Sequence, residues 1–354
     1  MASEEKKEAV AADGARGMAD GTAIDKTRMT GGAAISKTVA AAGKEGSSSS
    51  VVVEPGETLV TVYAGPTKAV FSRASGTLCE LVMNERTILH DPAPGIVAGP
   101  ILSWMRGLTD NDIWMRRGAS WSDDLKRGSL YSTGLTQPRY HVRPIVVKDK
   151  RVCVTTEVTG SKSAGFTHEA TWSFADDGAV TVENVVTPHG TMPPALPRLG
   201  LSFKLDPELE QMAYYGRGPR ENYVDRKSGS FLGVWKSTVA DQFESYARPQ
   251  DNGCKSDVRW TTFAAKDGVG VKFAASEPMF MTASHDDWED YEFARHRNGQ
   301  QRFRSPLVPR PEVCLNLDVR QTGLGGNSCG PEPMKKYVFP IEKTAWTLRL
   351  EPVK

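Results

Sequence analysis

Glu312-Val313-Cys314-Leu315-Asn316-Leu317-Asp318-Val319 decides the fold class, because polar and apolar side chains alternate at every step. Successive side chains of a strand point to opposite faces, so the alternation predicts one buried face carrying Val313, Leu315, Leu317 and Val319. The same period recurs outward from this stretch. Val152, Val154, Thr156 and Val158 alternate with Arg151, Cys153, Thr155 and Glu157; Val269, Val271 and Phe273 alternate with Gly270 and Lys272. Trp346, Leu348 and Leu350 alternate with Thr347, Arg349 and Glu351. Turn signals separate the runs at Lys148-Asp149-Lys150, Asp176-Asp177-Gly178 and Lys266-Asp267-Gly268. The best helical stretch is Asp286 to Arg297, with Ser284 or His285 leading into an acidic first turn. Many antiparallel strands and few helices predict an all-β chain built as a large β-sandwich. Without a β-α repeat there is no room for a (β/α)₈ barrel.

Composition bounds the rest. Residues 1–50 are rich in Ala, Gly, Ser and Lys and end in Gly46-Ser47-Ser48-Ser49-Ser50. Such a segment buries too little apolar surface to offset its ordering entropy and reads as a disordered N-terminal tail and linker, with one domain over 51–354. Lys plus Arg number 44 and Asp plus Glu 43, a net charge of +1, so no field favours nucleic acid as a partner. No apolar run is long enough to span a membrane, and the charged start Met1-Ala2-Ser3-Glu4-Glu5-Lys6-Lys7 lacks the core of a secretory signal. A cytoplasmic location is the expectation. The five cysteines (Cys79, Cys153, Cys254, Cys314 and Cys329) are dispersed, which fits reduced thiols better than a disulfide framework. Neither they nor the six histidines show metal-ligand spacing, so no metal is assigned to this chain.

Four stretches are unusually dense in glycine and polar residues. They are Arg106-Gly107-Leu108-Thr109-Asp110-Asn111-Asp112, Tyr214-Tyr215-Gly216-Arg217-Gly218-Pro219-Arg220-Glu221-Asn222-Tyr223-Val224-Asp225-Arg226, Tyr246-Ala247-Arg248-Pro249-Gln250-Asp251-Asn252-Gly253, and Leu317 through Gly325-Gly326-Asn327-Ser328-Cys329-Gly330-Pro331. In this order and spacing they resemble the small-chain domain of the β-galactosidases of glycoside hydrolase family 2. The resemblance spans roughly residues 55 to 354. It implies a galactose mutarotase-like β-supersandwich, a partner large chain whose barrel carries both catalytic Glu residues and a magnesium site, and hydrolysis of terminal β-galactosides with retention. No catalytic residue and no cofactor are then expected in this chain.

The resemblance also suggests roles. The loop Gly326, Asn327, Ser328 and Cys329 would reach the galactose pocket of the partner, with Cys329 where relatives often carry Trp. On residues alone the same loop is a glycine-assisted reversal capped by Asn and Ser. Arg106, Asp110, Asn111 and Asp112 would lead into a loop near the active site, although Gly107-Leu108 stands for Ala-Pro and Trp114 for a small Gly. A plain Arg-carboxylate pair with capped amides is the other reading. Glu221, Asn222, Asp225 and Arg226 lie among arginines, which keep carboxylates ionised, and read as a structural network rather than a catalytic acid pair. The rival functions are a free-standing carbohydrate-binding module and an aldose epimerase-like enzyme; the histidines match no site for the latter.

Overall fold

The computed structural model describes residues 50–92, 96–112, 114–115, 129–296 and 307–354. The tail expected over residues 1–50 therefore lies, except for Ser50, outside the described residues.

The described chain is all-β, and each strand pair is antiparallel. A first sheet is a meander of β1 (Val52–Pro55), β2 (Leu59–Ala64), β3 (Thr67–Ser72), β4 (Thr77–Met83) and β5 (Arg86–His90). A second sheet contains β6 (Ile101–Ser103), β7 (Arg139–Val142), β8 (Val146–Lys148), β9 (Arg151–Thr159), β10 (Gly165–Phe174) and β11 (Val180–His189). It continues through β12 (Arg198–Leu205), β13 (Gln211–Gly218), β14 (Phe231–Thr238), β15 (Lys255–Ala264), β16 (Gly270–Ser284), β17 (Val313–Gln321) and β18 (Thr344–Val353). The long path runs β14-β13-β15-β16-β18-β11-β10-β9-β7, while β17 lies between β16 and β12, and β6 adds to β12. The alternation implied a large β-sandwich and the resemblance a supersandwich, and the strand-rich, curled sheets agree with both.

Alternation translates into burial where one sheet face is covered. Val152, Val154 and Val158 of β9 and Leu348 and Leu350 of β18 are buried, while Glu157 and Arg349 are half-exposed. The two sheets are joined through aromatic rings: Phe71 of β3 meets Trp172 of β10 edge-on at 5.4 Å and Phe174 at 6.3 Å. Burying each such ring contributes on the order of 2–3 kcal/mol.

The strand that decided the fold class departs from its pattern. In β17 the polar positions Cys314, Asn316 and Asp318 are buried along with the apolar ones. Because β17 is flanked on both edges by β12 and β16 and covered on both faces, alternation there separates two interiors rather than an inside from an outside. The predicted helix appears as α1 (Trp288–His296), with Glu289 and Asp290 in its first turn. Its lead residue is Asp287, not Ser284 or His285: Asp287 Oδ1 accepts from Trp288 N at 2.7 Å, and Asp290 Oδ2 accepts from Asp287 N at 2.8 Å. The three turn signals all fall between paired strands, namely β8–β9, β10–β11 and β15–β16.

Candidate functional site

The four motif stretches are far apart in sequence, yet β6, β12, β13, β15 and β17 bring their loops to one place. The foundation there is a buried cluster of charge. Arg106, just after β6, is wholly buried and grips the equally buried Asp112 with Nε (3.0 Å) and Nη2 (2.7 Å). Its Nη1 donates to the carbonyl of Thr322 at 3.0 Å. Asp112 also accepts from the backbone N (2.9 Å) and hydroxyl (3.0 Å) of Thr109. Burial opposes the charge on Arg106, but Asp112 beside it wins, and its pKa lies above the usual arginine value. Arg106 and Asp112 thus hold the fold and face no solvent.

A second buried arginine completes the cluster. Arg198, at the start of β12, donates from Nη2 to Asp251 Oδ1 at 2.7 Å, and its Nε lies 3.4 Å from Asp318 Oδ2. The hydroxyl of Tyr223 reaches Asp251 Oδ2 at 3.2 Å. Among the described residues neither Asp318 oxygen has a hydrogen-bond partner. Burial pushes the Asp318 carboxyl up to about 7, against the pull of Arg198. Three carboxyls facing two guanidiniums would be over-charged if all were ionised; a proton shared onto Asp318 relieves this.

The glycine-rich loop is tied to two of the other motif stretches. Asn111 Oδ1 accepts from Ser328 N at 3.0 Å, and Asn111 Nδ2 donates to Gly325 O at 3.3 Å. The Asp225 carboxylate accepts from Leu324 N (3.1 Å) and Gly325 N (2.8 Å), and Arg226 Nη2 donates to Gly325 O. Within the loop Gly326 N bonds Pro331 O at 2.9 Å and Cys329 N bonds Gly326 O at 3.1 Å. Gly325 has φ +63°, and a Cβ there would come within 2.5 Å of Pro333 N, so a side chain is excluded twice. Ser328 and Cys329 are exposed at the tip, whereas Asn327 turns under the loop and is buried, its Nδ2 unpartnered among the described residues.

The remaining sequence candidates divide by what they touch. Glu221 accepts from Gly253 N at 2.9 Å and from the Tyr246 hydroxyl. Asn222 is buried, donating to the carbonyls of Arg217 (3.1 Å) and Arg220 (3.0 Å) and accepting from Ser256 N at 2.9 Å. Glu221 and Asp225 therefore take backbone amides, while Arg217 pairs with Asp257 at 2.5 Å. Asp110 is at the rim, 3.3 Å from Arg248. The two departures upstream also have a physical setting. A Cβ on Gly107 would meet Tyr291 Cδ2 at 2.4 Å, so that aromatic fills the space an alanine would need, and Trp114 is fully buried. All five cysteines are unpaired. Burial pushes the Cys254 thiol up to about 12, which makes it inert at neutral pH. No group of three or more His, Cys, Asp or Glu that could hold a metal ion occurs among the described residues, and no described helix is long and apolar enough to cross a membrane.

Arg198 was not visible as a site residue. It opens the apolar run Leu199-Gly200-Leu201, where a charge is easily taken for a strand end. Its signal is an acid on the paired strand: Asp318 faces Gly200, two residues along from Arg198, and reaches it diagonally at 3.4 Å.

Residues 64–350 match the family described as Beta galactosidase small chain. The chain belongs to the β-galactosidase small-chain family. A β-galactosidase of Priestia megaterium is 30% identical over 282 residues, covering 78% of this chain and 25% of that protein. A β-galactosidase of Halalkalibacterium halodurans is 27% identical over 307 residues, covering 81% of this chain and 27% of that protein. One from Lactobacillus delbrueckii subsp. bulgaricus is 34% identical over 181 residues, 50% of this chain and 17% of that protein. The chain thus spans about a quarter of the length of the first two relatives. Among solved structures, a galactose 1-epimerase from Lactobacillus acidophilus NCFM covers 85% of this chain and 97% of its own at 8% identity and a TM-score of 0.44.

Proposed function

We propose that this small-chain family member is the small subunit or C-terminal module of a β-galactosidase, docking on a barrel-bearing large chain and completing its galactose pocket. The observation that carries this reading is that Asn111 of the first motif stretch and Asp225 and Arg226 of the second tie down the glycine-rich loop, whose exposed tip is Ser328–Cys329. Asn111, Asp225 and Arg226 fix a backbone that would otherwise be free, and a rigid tip loses little entropy when it meets a sugar or a partner. Cys329, Ser328 and Gly326 then face the substrate, while Asn327 supports them from below.

In this reading the chemistry belongs to the partner. A retaining glycosidase uses two carboxyls about 5–5.5 Å apart, one of them protonated by its surroundings. The carboxylates around the loop are instead engaged by backbone amides or buried against arginines, and they serve as scaffold. Both catalytic Glu residues and the magnesium are assigned to the large chain, and the substrate is a terminal β-D-galactoside. The cytoplasm is the compartment we assign, in keeping with five unpaired cysteines.

The experiment is reconstitution. Purified chain should hydrolyse no chromogenic β-galactoside alone, and a family β-galactosidase cut back to remove its small-chain domain should be inactive alone. Mixing the two should give turnover. Turnover by the purified chain itself, or failure of the mixture to associate, would refute the reading.

A further inference from the structure

A cleft of about 810 Å³ opens beside β9–β11, and none of the residues that tie down the glycine-rich loop lines it. Its size falls within the roughly 300–1,000 Å³ of small-molecule sites. β9 and β10 lay inward-facing apolar residues along its wall, and polar residues of β9, β10 and β11 break the pattern at neighbouring positions. Thr156 on β9 stands directly opposite His168 on β10, and Asn184 on β11 sits one step away, opposite Ala170. All three line the cleft. A purely structural wall would carry valine or alanine there, as it does at Val154, Val158 and Ala170.

The hydrogen bonds of this row define what it offers. Asn184 Nδ2 donates to the carbonyl of Val182 at 3.3 Å, so its Oδ1 faces His168 and must accept from Nε2 at 3.0 Å. Burial lowers the His168 pKa, so the ring is neutral at neutral pH and carries its one proton on Nε2. Nδ1 is left a bare acceptor, with no partner among the described residues. The ring is fixed by stacking on Trp346, at 6.4 Å and 2° between planes. A second acceptor stands at the mouth: the Glu289 carboxylate makes no hydrogen bond or ion pair among the described residues. The cations beside it, Lys204 and Arg310, are turned to Asp287 (3.7 Å) and Asp290 (2.6 Å). The rings of Trp172 and Tyr140 supply apolar faces to the same space.

We infer that this cleft binds a neutral, polyhydroxylated molecule of monosaccharide size, its hydroxyls donating to His168 Nδ1 and Glu289 and its C–H face lying on the aromatic rings. The chemistry follows from the donors and acceptors. The two acceptors call for O–H groups, the aromatic rings call for an apolar face on the same molecule, and the charges of the lining, Glu289 beside the ion-paired Lys204 and Arg310, favour a neutral one. The site is separate from the loop tip and does not require the partner chain.

The test uses the full chain alone, with D-galactose, methyl β-D-galactopyranoside and lactose as probes, followed by saturation-transfer NMR and tryptophan fluorescence. Saturable binding in the millimolar range is expected. His168→Phe, which keeps the stacked ring but removes the acceptor, should weaken it at least about tenfold, and Glu289→Gln, near the surface, should weaken it several-fold. Val234→Ala, at an exposed position of β14 outside both the cleft and the loop tip, should leave it unchanged, which shows that the losses are specific to the cleft. Equal affinity for lactose and the monosaccharides would assign the terminal unit of a longer glycan; binding of monosaccharides only would assign the free sugar. Absence of saturable binding to all three sugars, binding indifferent to both cleft variants, or preference for a protonated amine of similar size would overturn the inference. A chain that binds sugar here yet fails to complement a barrel would refute the proposed subunit role and leave this site standing.

Discussion

The base and the tip of the motif-bearing end are built from neighbouring residues by opposite physics. Below, Arg106, Arg198, Asp112, Asp251 and Asp318 are stripped of water and paired as ions with one another. Thr322 O and Thr109 complete Arg106 and Asp112, while both Asp318 oxygens lack a hydrogen bond among the described residues. Above, Ser328 and Cys329 are exposed and contribute little to packing, while their backbone is held by Asn111 and Asp225. A motif rich in charged residues therefore need not be a set of contacts to a ligand. Most of it positions a few atoms at the surface, and ion pairs with no solvent are the means.

That contrast can be broken most forcefully at the base. Arg198→Leu leaves Asp251 and Asp318 without the guanidinium that pairs with both, and removing one partner of a buried pair costs about 3–5 kcal/mol. Urea unfolding of the chain should show the loss; a cost near zero would mean that water already reaches the cluster.

The same cluster gives a pH signature. Asp318 is raised from 3.8 to about 7 by burial, so the folded state holds a proton that the unfolded state releases. The part of the stability due to this group is full below about 3.8, falls as pH climbs towards about 7, and is flat above. Asp318→Asn should remove that decline. Parallel stability–pH curves for variant and parent would contradict the protonated carboxyl.

Asp225 links base to tip. Asp225→Ala removes the acceptor of two loop amides and should cost about 1–3 kcal/mol. The loss should appear as faster amide exchange at Leu324 and Gly325. The smallest effect belongs to the tip, where Cys329→Ala should change stability by less than about 0.5 kcal/mol in thermal unfolding. A larger loss would move this thiol into the packing.

Much of this was legible in the residues. Period-two runs such as Val152–Val158 and Trp346–Leu350 gave the strands, because one covered face suffices to imprint alternation on sequence. The four stretches gave the loops of the candidate site, since glycines and Asx residues mark chain that must turn and be capped. Three things could not be read. The burial of Asp318 was hidden because alternation cannot distinguish a solvent face from a second interior. Arg198 was hidden because its partner Asp251 lies 53 positions away and only the sheet brings them together. The partners of Asp225 were hidden because a carboxylate among arginines looks committed to them, while local geometry delivers two amides first.

The central claim is that the tip alone of this end meets the sugar. The direct measurement is steady-state kinetics of the reconstituted complex carrying Cys329→Trp or Asn111→Ala. An indole at the tip adds a stacking face made equally in ground and transition states, so Cys329→Trp should lower KM several-fold with kcat nearly unchanged. Asn111→Ala frees Ser328 N and Gly325 O, and should raise KM while the complex still assembles. A KM unmoved by both substitutions, in a complex that forms normally, would contradict the account.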